Sequence, residues 1–218
     1  NGILFLDEAA EFRSSVLQML RIPIENHTIT LSRAGRSTIY PANFQLFMAA
    51  NPCPCGNYGS KEKICLCSAK SVDQYWKKFS APLLDRIGIR YDFNADNTDF
   101  PKYTLEEIRN HIKLAWERQF ARQGKLNNDL SPEEINKYIL LTYNAQYLLD
   151  KASNKYDYSP RAVVQIMKIA QTLNDMHENP SEQITECAVS FCNEIEQYGR
   201  DVMIYFNREI GYFEYELA

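Results

Sequence analysis

Gly2-Ile3-Leu4-Phe5-Leu6-Asp7-Glu8 decides the fold class of this chain. The apolar run from Gly2 to Leu6 has the pattern of a strand buried on both faces in a parallel sheet, and two carboxylates stand at its carboxyl end. A Walker B strand needs this arrangement: the Asp orders Mg²⁺, and the Glu beside it polarises the attacking water. A buried strand that meets a solvated turn with two acids is the plainer reading of the same residues. A second apolar run, 44–50, ends at Asn51. An amide at that position can hold the lytic water or a γ-phosphate, as a sensor-1 residue does. An Asn that opens a turn before Pro52 is the alternative.

Between the two runs lie Phe12, Val16, Leu17, Met19 and Leu20, at roughly helical spacing up to Pro23. Alternating residues then run from Asn26 to Tyr40 about a central Ala34-Gly35. That pattern predicts a β-hairpin over 27–41 with Arg33 and Arg36 flanking its tip. From His27 to Tyr40 there are two arginines and no acids, a composition suited to phosphate contact. Solubilising charge on an exposed hairpin accounts for the same residues.

Six cysteines occur as Cys53/Cys55, Cys65/Cys67, Cys187 and Cys192. Four thiolates on one loop, 52–67, can close a tetrahedral Zn²⁺ site, although C-x-C is tighter than the usual C-x₂-C. Disulfides and free buried thiols remain the other two possibilities. Cys187 and Cys192 do not share a helix face and read as packing residues. The clustering points to a reduced, cytoplasmic compartment.

Ser71 and Gln74 fit a capping box for a short helix ending near Phe79. Asp85-Arg86 precedes a third strand expected over 87–93. An Arg there can reach a phosphate in a neighbouring subunit as an arginine finger, or form an ordinary surface ion pair. Residues 94–102 read as a linker, after which the periodicity is helical throughout. Thr104/Glu107 and Ser131/Glu134 are capping-box pairs, and Ser159-Pro160 opens another helix. Arg161 lies in that helix's first turn, where a cation opposes the helix dipole and an anion partner is favoured. A last helix is expected over 181–198. The fold class is thus α/β followed by all-α.

With 218 residues, 45% hydrophobic and 24% charged, the composition is that of a globular protein. A net charge of −4 excludes a wholesale polycation, so any nucleic-acid contact must be local. The apolar runs are far shorter than the roughly 20 residues a membrane span requires.

Considered together, the motifs form a recognisable order. Gly-Ile-Leu-Phe-Leu-Asp-Glu-Ala-Ala-Glu-Phe (2–12), Ser-Arg-Ala-Gly (32–35), Pro-Ala-Asn-Phe-Gln-Leu-Phe-Met-Ala-Ala-Asn-Pro-Cys-Pro-Cys-Gly (41–56) and Pro-Leu-Leu-Asp-Arg-Ile (82–87) resemble magnesium-chelatase-like AAA+ ATPases. Within them the pattern is most similar to the ComM (YifB-type) group, and Tyr158–Ala162 resembles that family's sensor-2 segment. The resemblance implies a homohexameric, ATP-driven motor acting on branched or single-stranded DNA, a branch-migration helicase of competence and recombination. It implies the C-terminal half of an AAA+ P-loop core over 1–93, with a pre-sensor-1 hairpin, the linker 94–102, a helical lid over 103–200 and an atypical tail over 201–218. The implied cofactors are ATP and Mg²⁺ at Asp7; structural Zn²⁺ at Cys53, Cys55, Cys65 and Cys67 is the expectation from the cysteine loop itself. Asp7 and Glu8 match the Walker B acids, Asn51 sensor 1, Arg86 the arginine finger and Arg161 sensor 2. Asp7, Asn51 and Arg161 would bind the nucleotide, and Arg33 and Arg36 the DNA.

The pattern breaks in two places. No G-x-x-x-x-G-K-[ST] loop occurs in the 218 residues, so nucleotide cradling is expected upstream in a longer chain, with this piece inactive alone. Beyond Glu186 the match fades into an aromatic stretch (Tyr205, Phe206, Tyr212, Phe213, Tyr215), for which an alternative or frameshifted terminus is one hypothesis. Two rival readings stand beside the DNA motor. One is a chelatase-type motor acting on a protein partner, and the other is a non-catalytic zinc-bearing DNA-binding module.

Overall fold

A computed structural model describes residues 2–33, 35–60, 62–90, 103–190 and 192. The described residues divide into two compact units, one within 1–87 and one within 88–199.

In the first unit β1 (Gly2–Leu6) pairs in parallel with β4 (Phe44–Met48), in the register Leu4↔Leu46 and Leu6↔Met48. A 3₁₀ turn (Ala9–Glu11), α1 (Ser14–Met19), α2 (Arg21–Asn26) and a hairpin fill the crossover between the two strands. Leu6 and Met48 pack over a core of Ala9, Ala10, Leu17, Tyr75, Phe79 and Leu83. The other face does not match a doubly buried strand: Ile3 is 74% and Phe5 60% exposed. The described helices cover one face only, so the apolar alternates on the second face meet solvent.

The hairpin joins β2 (Thr28–Arg33) to β3 (Arg36–Pro41) antiparallel, and Arg33 and Arg36 are the last pair before the turn. Two residues separate them, the shortest common hairpin connection. Gly35 takes φ +77°, which a side chain would resist. His27 falls outside the ladder, capping α2 at φ +53°.

Three local expectations are corrected. Pro23 does not end a helix. It lies in the first turn of α2, where its missing N–H has no intrahelical partner to lose. The helix after the cysteine loop, α3 (Ala69–Trp76), starts earlier than expected because the Ser68 hydroxyl accepts from the Ser71 N–H at 3.2 Å. Ser71 is therefore inside the helix. Residues 87–90 are irregular rather than a strand, following the short α4 (Ala81–Leu84). The rest of that expected strand, the linker and the tail lie outside the described residues.

The second unit is helical: α5 (Leu105–Gln123), α6 (Pro132–Tyr138), α7 (Tyr143–Tyr156) and α8 (Pro160–Met176). Both capping boxes form as expected, at Thr104 and at Ser131, and Ser159 caps α8 with Pro160 at its first position. Leu130, Ile135, Leu149, Ile166, Ile184 and Val189 belong to one buried core. Ile184 also forms a parallel bridge with Leu141, ahead of helical residues 186–190. That segment begins later than Ser181, and the part of the expected helix after Cys192 is outside the described residues. Cys192 packs in the core, whereas Cys187 is exposed and is not a packing residue. Among the described residues no helix is long and apolar enough to cross a membrane.

A polar network ties α5 to α8. The Asp175 carboxylate, on a residue 1% exposed, accepts from both Arg122 Nη atoms (2.7 and 2.8 Å), Asn127 Nδ2 (3.0 Å) and Gln171 Nε2 (3.0 Å). Four donors satisfy a charge that burial alone would expel. Arg118 caps the end of α8 through the Asp175, His177 and Glu178 carbonyls. Removing one partner of a buried pair costs far more than the pair's net worth. Asp175→Ala should therefore destabilise the helical unit by about 3 kcal/mol, read from urea denaturation followed by circular dichroism. A change below about 1 kcal/mol, the level of a surface pair, would show the network to be peripheral.

Candidate functional site

The parallel pairing brings the carboxyl ends of β1 and β4 side by side. Asp7 and Glu8 follow β1, and Asn51 follows β4 by three residues; all three are exposed at this end. The crossover is fixed by the Ala49 N–H donating to the Leu6 carbonyl (2.9 Å) and the Ala9 N–H to the Ala49 carbonyl (2.8 Å). The Glu8 N–H donates to Asp7 Oδ1 at 2.9 Å. Glu8 itself takes φ +49°, so the chain turns sharply between the two acids. Hard carboxylate oxygens of this kind suit Mg²⁺, and an amide opposite them can both donate and accept.

Arg86 belongs to the same unit but does not project into solvent. Its side chain is 10% exposed, with Nη2 on Glu25 Oε1 at 2.8 Å and Nη1 on the Pro82 carbonyl. Its ion-pair partner is therefore Glu25, on α2, and not the neighbouring Asp85. Arg161 lies in the second unit, exposed in the first turn of α8.

Arg33 and Arg36 stand at the hairpin tip, both exposed. Directly paired residues share a face, so Ile29, Leu31 and Arg33 lie on the same side as Tyr40, Thr38 and Arg36. The other side carries Thr28, Thr30, Ser32, Ser37, Ile39 and Pro41, with the Ser32 and Ser37 hydroxyls 3.2 Å apart. One side of the ribbon is thus aromatic, aliphatic and cationic, and the other is largely hydroxylic.

The cysteine loop converges. The Sγ atoms of Cys53 and Cys55 are 3.4 Å apart, Cys53 and Cys65 3.7 Å, and Cys55 and Cys65 3.6 Å. All four, Cys67 included, lie within 4.8 Å of one another and none is in a disulfide. A tetrahedral ion with Zn–S of about 2.3 Å requires sulfurs about 3.8 Å apart. Gly56 turns the chain at φ +76° directly after Cys55, at the start of the stretch that brings the second cysteine pair back to the first. Residues alternate through the second pair, so Ile64 and Leu66 face solvent at 82% and 89% exposure.

Hydrogen bonds from the Asn57 backbone and the Cys53 thiol bring the Cys55 thiol down to about 6. Cys65 is pushed up to about 12: a bond from the Cys67 backbone favours its thiolate, but desolvation and the neighbouring thiols outweigh it. Sequence reasoning missed Glu25, Tyr75 and Trp76. Trp76 Nε1 donates to the Pro52 carbonyl at 2.9 Å, and the Tyr75 hydroxyl lies beside the Asn51 backbone. The adjacent aromatic pair after the cysteine loop was the only signal available for the latter two.

Two family descriptions match consecutive parts of the chain: magnesium chelatase, subunit ChlI, over residues 1–100, and its C-terminal part over residues 103–191. Competence protein ComM of Haemophilus influenzae is 35% identical over 183 residues, covering 81% of this chain and 35% of that protein. A protein named YifB from Salmonella typhimurium is 34% identical over 199 residues, covering 88% of this chain and 39% of its own length. YifB of Escherichia coli is 33% identical over the same length. The chain therefore spans little more than a third of the curated relatives it matches.

The thiol geometry orders the reactivity of the metal-free loop. Thiolate is the nucleophile, so at pH 7 iodoacetamide should label Cys55 ahead of Cys65. The Cys55 rate should fall as pH drops through about 6, because its lowered proton affinity keeps the thiolate only above that value. Peptide mapping by mass spectrometry checks the order, and equal labelling of the two cysteines would contradict it.

Proposed function

The chain belongs to the magnesium-chelatase family of AAA+ ATPases, as a relative of the ComM and YifB proteins, and on that premise we propose that it is part of a hexameric motor that hydrolyses ATP to move DNA. The observation that carries this reading is the parallel β1–β4 register, which sets Asp7-Glu8 and Asn51 at one sheet end. In such a motor Asp7 holds Mg²⁺, and the bound ion supplies neutralisation of phosphate charge. Glu8 takes a proton from the attacking water, Asn51 orients that water or the γ-phosphate, and Arg86 and Arg161 bring positive charge to the phosphates. For Arg86 to reach a neighbouring subunit's phosphate it must first leave Glu25, so its resting ion pair sets the cost of that movement. The triphosphate cradle is not among these 218 residues, and turnover is assigned to the longer protein.

The hairpin would meet DNA through Arg33 and Arg36, with Tyr40 on the same side offering a ring to an unstacked base. Zn²⁺ on Cys53, Cys55, Cys65 and Cys67 is a structural ion in this reading, because four thiolates leave no open coordination position. The clustered cysteines support residence in a reducing compartment, the cytoplasm. A second reading is favoured by the family description itself: a chelatase-type motor whose hairpin works on a protein partner.

Two measurements test the assignment. In the longer protein Glu8→Gln should lower ATP turnover by at least about 100-fold, the scale of a lost general base. Turnover that rises with branched DNA supports the DNA motor, and turnover indifferent to DNA supports the chelatase type. Replacing both Arg33 and Arg36 by Ala should flatten the log–log salt dependence of DNA binding by about 1.4 to 1.8, the loss of two phosphate contacts. An unchanged slope would remove the hairpin from the DNA path.

A further inference from the structure

The cysteine centre and Asn51 are linked by a single helix. Val72, Tyr75 and Trp76 stand at i, i+3 and i+4 on α3 and so share one face. That face holds three consecutive residues of the loop. The Asn51 backbone lies beside the Tyr75 hydroxyl, Trp76 Nε1 donates to the Pro52 carbonyl at 2.9 Å, and Val72, 1% exposed, packs on the fully buried Cys53. The same helix begins at Ser68, its N-cap, one residue after Cys67. The thiolate centre therefore grips both ends of one closed path. Cys53 follows the held Pro52, and Cys67 precedes the helix that holds it. Trp76 also packs against the core beneath the sheet, beside Phe79, which ties this path to the end of β1. Gly56 completes the enclosure: a Cβ placed on it would lie 4.0 Å from the Asn51 Cγ.

We propose that one tetrahedral, thiolate-preferring divalent ion of the zinc class, bound by Cys53, Cys55, Cys65 and Cys67, positions Asn51 through α3. Phosphate sensing at the end of β4 then exists only while the metal is bound. The sulfur separations of 3.4 to 3.7 Å fit a single ion; the ligands of a polynuclear iron–sulfur core would stand farther apart. Without the ion, only weak thiol contacts join Cys53 and Cys55 to the Cys65/Cys67 arm, and the arm is free to move away. The start of α3 would follow, and Asn51 and Pro52 would lose their partners. The ion touches no substrate, and it acts on Asn51 through α3. The functional half of this proposal rests on the reading of Asn51 as the phosphate-sensing residue.

The test uses the 218-residue chain, whose two tryptophans are Trp76 and the half-exposed Trp116. In a Trp116→Phe background, zinc content is measured by metal analysis, and the ion is then released with an organomercurial and a chelator. A single Zn²⁺ per chain is expected. On its release the Trp76 emission should move to longer wavelength and the Asn51 side-chain amide resonance, identified as the one lost in Asn51→Asp, should shift. Added Zn²⁺ should reverse both changes. Trp76→Phe should keep the ion yet displace the Asn51 amide, a result that general unfolding would not produce. Absence of stoichiometric metal, or a disulfide-linked loop in the purified chain, overturns the centre. Metal release that leaves both Trp76 and Asn51 unmoved overturns the coupling. Full ATP turnover in an Asn51→Ala variant of the longer protein overturns the sensing role alone, because it leaves the metal-to-Asn51 linkage observed in the short chain intact.

Discussion

The parallel pairing of β1 with β4 is the constraint on which the first unit depends. A parallel pair cannot be closed by a tight turn, so the chain between Leu6 and Phe44 must make a crossover. That crossover carries α1, α2 and the hairpin. The pairing also decides which side chains meet. With Leu6 opposite Met48, both strands end together, and the polar residues that follow them fall at a common edge. A slip by one residue would turn Leu4 and Leu6 to the solvent side and bring Ile3 and Phe5 into the core. The core of Ala9, Ala10 and Leu17 has room at that interface because two of the three residues are small.

The helical unit is held differently. Its apolar core is conventional, but α5 and α8 meet across a buried carboxylate with four donors. Such a network is sensitive to geometry, since a donor displaced by an ångström leaves an uncompensated charge. It fixes the axial register of α8 against α5 in a way that apolar packing alone would not. Arg161 stands at the opposite end of α8 from Asp175, so the network constrains the helix that carries it.

Around the cysteine loop, local strain and long-range contacts act together. Gly56 and Gly59 adopt positive φ between the two cysteine pairs, bending the chain so that Cys65 and Cys67 return to Cys53 and Cys55. The loop has little apolar content facing inward apart from Cys53, and Ile64 and Leu66 point outward. Its order therefore depends on sulfur chemistry and on the face of α3 beneath it. Arg86 shows a related economy: α2, which leads directly into the hairpin, also supplies the carboxylate that holds this arginine.

Much of this was legible in the residues. Alternation about Ala34-Gly35 gives the hairpin and its register, Thr104/Glu107 and Ser131/Glu134 give two helix starts, and the clustered cysteines give the thiolate set. Each is a local signal, in which spacing along the chain equals proximity in space. The departures are equally local in cause. Pro23 reads as a stop only if its place in the helix is unknown, and Ser71 reads as a cap because Ser68 three residues earlier competes for the same role. The run from Ile3 to Leu6 has the composition of a doubly covered strand, and only packing shows that the described helices cover one side of it. Which strand lies beside β1, that Arg86 pairs with Glu25 and not Asp85, and that Trp76 holds Pro52 with Tyr75 beside Asn51 were decided by tertiary structure alone. These contacts join residues separated by more than 20 positions. No periodicity records such separations; they exist only once the crossover has closed and the helices have chosen their faces.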